Sequence, residues 1–147
     1  LRRHAQDAQR TPGRDLATVV KQVEHQHQVA LIEWWSYACK GFGLPAFALM
    51  AYPAGGLRHK AVAGKMKAAG VRKGVPDLLL PVARGDFYIG LAIEMKAYNR
   101  GTSDAQDTVI DWLKSQGWRV EVCARPCSRP AARTRRLLLR LRGYAGR

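Results

Sequence analysis

The chain has 147 residues, 47% hydrophobic and 24% charged. That fits one globular domain with a core that requires no disulfide or metal staple, and it is too short for a TIM barrel, a protein kinase or a two-domain dehydrogenase. Twenty-five Lys and Arg against 11 Asp and Glu give a formal charge of +14, a surplus that points to a polyanionic partner. The surplus is uneven. Residues 125–147 hold eight Arg and no acid, and residues 1–15 hold four Arg and two Asp, so 16–124 keeps 13 basic and nine acidic residues, only +4. The chain is therefore expected to divide into a polar extension (1–15), one folded domain (16–124) and an Arg-rich tail (125–147).

Cys39, Cys123 and Cys127 make no even disulfide framework, and the C-x3-C spacing has no second pair to complete a zinc site. The longest uncharged run, 41–57, is broken by Pro45, Pro53 and four glycines and is too short for a bilayer span. The opening LRRHAQDAQR lacks the apolar stretch of a secretory leader. An intracellular, cytoplasmic domain with no membrane association is expected.

In chain order, apolar residues at three- and four-residue spacing predict a helix from Leu16 to about Lys40, ended by Gly41 and Gly43. Phe47 to Tyr52 reads as a buried strand closed by Pro53-Ala54-Gly55-Gly56. Residues 58–70 suit a short basic helix. Asp77 to Val82 reads as a second strand, and the turn ARGDF leads into a third, Tyr88 to Lys96. Ser103 is placed to cap a helix from Asp104 to Gln116, and Trp118 to Cys123 forms a fourth strand. A further basic helix is expected around 131–142. The order predicts an α/β fold with a mixed central sheet flanked by helices. Trp34, Trp35, Trp112 and Trp118 read as core or subunit interface.

The chemistry concentrates in Gly74-Val75-Pro76-Asp77 and, 17 positions after Asp77, in Glu94-Met95-Lys96. Side chains alternate along a strand, so Glu94 and Lys96 share a face and Met95 points away. If the two strands pair, Asp77, Glu94 and Lys96 converge. Two carboxylates with a backbone carbonyl make a hard-oxygen site suited to Mg²⁺ or Mn²⁺. A lysine beside them can orient a water and stabilise charge developing on a phosphate. On spacing alone, charges on a solvated strand end explain the same residues. Arg58, Lys60, Lys65, Lys67, Arg72 and Lys73, with no acid among residues 58–73, lead into Asp77 and suit contact with a DNA backbone. His25 and His27, two apart, do not share a helix face.

The run Val71-Arg72-Lys73-Gly74-Val75-Pro76-Asp77 with Ile93-Glu94-Met95-Lys96 resembles the VRR-NUC domain, a branch of the PD-(D/E)xK nucleases with a restriction-endonuclease-like core. Glu24-His25-Gln26-x-Gln28 resembles that family's N-terminal acidic motif, and Ser103-x-x-Gln106 with Trp112-Leu113 and Gly117-Trp118-Arg119-Val120 its closing helix and strand. The resemblance covers roughly residues 22–123. It implies a Mg²⁺- or Mn²⁺-dependent DNA endonuclease, some members of which act on branched DNA such as Holliday junctions or belong to DNA repair enzymes, and often a homodimer. It implies Asp77, Glu94 and the Met95 carbonyl as metal ligands, Lys96 as the catalytic lysine, Glu24 reaching the metal directly or through water, and Gln106 supporting the site. No small-molecule cofactor is implied. The sequence departs at Ala54, where the family's turn carries Asn, and in the Arg-rich segment after Cys123. Two other readings stay open on the residues: a non-catalytic basic nucleic-acid-binding module, and a subunit of a repair or packaging assembly.

Overall fold

The computed structural model describes residues 16–53, 60–83, 87–97 and 100–123. Helix α1 (Leu16–Ala38) buries Val20, Leu31 and Trp35 and passes into a 3₁₀ turn, Cys39–Phe42. Gly43 stops that turn with φ +66°, a left-handed conformation cheap only for glycine, and its N–H returns to the last carbonyls. The Trp35 indole N–H donates to the carbonyl of Ala46 at 2.7 Å and its ring stacks on Phe42, which ties α1 to the segment after it.

That segment corrects the strand expected at 47–52. Pro45, extended, starts a 3₁₀ turn, Ala46–Ala48, and only β1 (Met50–Ala51) joins the sheet. An apolar run beside a proline suits a turn as well as a strand, and Phe47 is exposed. Helix α2 (Lys60–Ala68) is followed by Gly70, and β2 (Leu78–Leu80), β3 (Gly90–Met95), α3 (Asp104–Ser115) and β4 (Trp118–Cys123) complete the order. The second and third strands are shorter than expected. The tip of the ARGDF turn, residues 84–86, and the helix expected at 131–142 lie outside the described residues.

The sheet is mixed, in the order β1-β2-β3-β4. β1 and β3 run antiparallel to β2, and β4 runs parallel to β3 through the α3 crossover. Leu78, Leu80, Leu91, Ile93 and Met95 pack with Leu31 and Trp35 of α1 in the main core. α3 packs along β4 and buries Ile110 and Leu113. Trp112, expected as core or interface, stands 60% exposed, because two positions from Ile110 along a helix is the far side. No helix among the described residues is long and apolar enough to cross a membrane.

Candidate active site

β2 and β3 pair with Leu78 opposite Ile93, which sets Asp77, one residue before β2, across from Glu94. The register fixes the faces. Met95 goes into the core, whereas Glu94 and Lys96 emerge together on the other side, with Lys96 Nζ 3.1 Å from Glu94 Oε1. Asp77 Oδ2 accepts the Met95 N–H at 2.8 Å. The N–H of Lys96 donates to the Cys123 carbonyl at 2.9 Å, so β4 holds the backbone of the pair.

Gln106, in the first turn of α3, joins these charges. Its Oε1 accepts from Lys96 Nζ at 2.7 Å and from the Ser103 N–H at 3.0 Å, and its Nε2 donates to Glu94 Oε1. The same side chain closes the capping box with Ser103. Helix start and charged pair are thus one network. Gly74 presses against it from the loop before Asp77: a Cβ there would lie 2.1 Å from the Ala105 carbonyl oxygen, and its φ is +85°. Only glycine lets this loop approach so closely.

Glu24 arrives from α1, its Oε1 accepting the Ala97 N–H at 3.0 Å. Together these groups line a cleft of about 720 Å³ that also includes Lys21, His25, Gln28, Tyr52 and Lys73. Glu94 is 3% exposed. Burial, then the nearby Asp77 charge, pushes its carboxyl up to about 7 against the opposing pull of Lys96. Asp77 is likewise raised, first by burial and then by Glu24, while the Met95 N–H and Lys96 act the other way. Crowded acids at reduced solvation invite a cation.

The donor set fits a hard divalent ion as an open site. Among the described residues no three His, Cys, Asp or Glu side chains form a cage by themselves. Asp77 and Glu94 each spend one oxygen on protein donors, and no buried side-chain oxygen among the described residues lacks a partner. Each carboxylate keeps a second oxygen, and both residues line the cleft. Two carboxylates with room for carbonyl and water oxygens suit Mg²⁺ or Mn²⁺ better than a soft metal.

Residues 22–125 match the VRR-NUC domain family. The chain belongs to that family. A solved structure titled "VRR_NUC domain protein" is 28% identical, with 80% of this chain and 88% of that one aligned at a TM-score of 0.61. No curated protein matches. The family is a nuclease family, and DNA is the substrate class it implies.

Of the residues singled out from sequence, Glu24, Lys73, Asp77, Glu94, Met95, Lys96 and Gln106 all line the cleft. Arg72 does not. It is exposed, its guanidinium donates to the Lys67 carbonyl, and its N–H donates to the Tyr52 hydroxyl at 2.9 Å. Lys65 and Lys67 stand exposed on α2, which Lys60 opens, and Arg58 lies outside the described residues. Sequence reasoning gave no site role to Lys21, His25, Gln28 or Tyr52, although His25 and Gln28 stand in the motif around Glu24. For the first three the signal was present: with Glu24 they fall at i, i+3, i+4 and i+7, one face of a helix.

Proposed function

We propose that this VRR-NUC protein is a metal-dependent endodeoxyribonuclease that hydrolyses DNA phosphodiester bonds, with Asp77, Glu94, Lys96, Glu24 and Gln106 as its working residues. One observation carries this reading: in a chain of this family, Asp77, Glu94 and Lys96 converge from two strands on one open cleft. Asp77, Glu94 and the Met95 carbonyl would hold Mg²⁺ or Mn²⁺, with Glu24 contributing through water. Such an ion supplies Lewis-acid stabilisation of phosphate charge and a more acidic water. Lys96 places a positive group beside the scissile phosphate and orients the attacking water. Gln106 holds Lys96 and Glu94 in register, so that the lysine stays beside its carboxylate rather than swinging into solvent. Branched DNA such as a four-way junction is the substrate form we favour, in an intracellular setting such as repair.

The same reading makes the protein a homodimer. Phe87, Ile89 and Trp112, all exposed, offer apolar surface for pairing, and light scattering across a concentration series measures it. Residues 16–124 are taken as the nuclease domain.

The deciding experiment incubates the full chain with labelled linear, flap and four-way-junction DNA in Mg²⁺, Mn²⁺ or EDTA. Cleavage with either metal, its loss in EDTA and preference for the junction are expected. DNA that is bound but never cut with either metal would overturn the reading.

A further inference from the structure

The described lining of the cleft carries Glu24, Asp77 and Glu94 against Lys21, Lys73 and Lys96. Lys96 is already committed to Glu94 and Gln106. Without a metal, a phosphodiester approaching this floor meets carboxylates that Lys96 alone does not offset. With one, the flanking phosphates still lie beyond the ion, so they require cations elsewhere on the cleft. Lys21 and Lys73 line the cleft and are the candidates. Both are exposed, and neither has an ion pair or side-chain hydrogen bond among the described residues. They come from separate elements. Lys21 sits one turn before Glu24 on α1, with His25 and Gln28 following on the same face. Lys73 sits in the loop that Tyr52 anchors through its hydroxyl and the Arg72 N–H.

We propose that the cleft grips the DNA strand from two walls, with Lys21 of α1 binding the phosphate on one side of the scissile linkage and Lys73 the phosphate on the other. The inference rests on the nuclease reading for the word scissile, but the contact itself does not require cleavage. It adds α1 to a DNA-binding surface that the sequence placed only in residues 58–73. An exposed lysine on a helix can be truncated without loss of fold, which makes the test clean.

Binding of the full chain to a fluorescein-labelled DNA duplex is measured by anisotropy in EDTA across a KCl series. Lys21→Ala and Lys73→Ala should each flatten the plot of log affinity against log salt by about 0.9, the double variant by the sum, and Lys21→Arg should restore the wild-type slope. A second arm replaces single linkages around the cut site with uncharged methylphosphonates and measures single-turnover cleavage. Neutralising a linkage on one side should leave Lys21→Ala with no further loss, and on the other side should do the same for Lys73→Ala. An unchanged slope in Lys21→Ala overturns the proposal, as does coupling of both lysines to the same linkage. If no DNA is cut, the nuclease reading fails, and the salt slope alone decides whether Lys21 touches phosphate.

Discussion

Glu94 shows how much one side chain must satisfy. It is nearly fully buried, it accepts from Lys96 and Gln106, and its carboxyl is held up to about 7 by burial and by Asp77. The folded chain therefore keeps a proton that the unfolded chain releases near the ordinary value of 4.5. Between those values the native state binds more protons, so metal-free stability is fully present below about 4.5 and falls as pH rises through 7. Asp77, also raised, adds with the same sign. Thermal melts in EDTA should decline over this window, and Glu94→Gln should flatten the decline; a wild-type melt that rises from pH 5 to 7 would contradict it. Asp77→Asn and Glu94→Gln should abolish metal-dependent cleavage while preserving most DNA binding. Lys96 separates binding from chemistry. Lys96→Ala and Lys96→Arg should both bind DNA almost normally yet lose on the order of 10²-fold in single-turnover rate at saturating protein, because arginine keeps the charge but not the compact donor geometry. Recovery of cleavage in the arginine variant would reduce Lys96 to a phosphate attractant.

At the scale of elements, the start of α3 links stability to the site. Gln106 is both the third residue of the helix, where it closes the capping box, and the clamp on Lys96 and Glu94. Gln106→Glu keeps an acceptor for the cap but places an anion beside Glu94 and removes the amide donor. It should retain the helix by circular dichroism and cut at least 10²-fold more slowly, whereas Gln106→Ala should also lose about 1 kcal/mol of cap stability. Gly74→Ala should cost about 1–3 kcal/mol in urea unfolding for its left-handed backbone alone, with the clash against the Ala105 carbonyl added. The strand bearing Glu94 and Lys96 was legible in the sequence because a period of two fixes which side chains share a face, and the pairing then brings Asp77 across. The 3₁₀ turn at Ala46–Ala48 was not, since local pattern does not distinguish it from a strand when neither buries a long apolar face. Trp112, read as core or subunit interface, is not core: helix phase, which residue type does not reveal, puts it on the exposed side of α3. The Tyr52–Arg72 contact joins residues 20 apart and leaves no local trace.

At the scale of the whole molecule, charge is the property least tied to the fold. Residues 16–124 carry +4 of the +14, and on the proposed reading the acids of the cleft concentrate negative charge where DNA would enter. Attraction over distance must then come from basic groups outside the floor. On the proposed reading two blocks would supply them: the lysines of α2 and its following loop, and the eight arginines of residues 125–147. Counterion release makes each phosphate contact visible as a slope of about 0.9 in log affinity against log salt, independent of sequence and largely of DNA shape. Replacing Lys65, Lys67 and Lys73 with Ala should weaken linear and four-way-junction DNA to similar extents and lower the slope by up to about three contacts' worth. In the full chain, Arg133, Arg135 and Arg136 changed to Gln should lower the slope as well, with the two sets additive if they touch separate phosphates. Single-turnover cleavage at saturating protein should stay within several-fold of wild type for the arginine set, because no reacting group is altered. An unchanged slope in the lysine variant would mean that α2 faces solvent and that Lys73 touches no phosphate, and a loss confined to junction DNA would mean that these lysines read shape rather than charge.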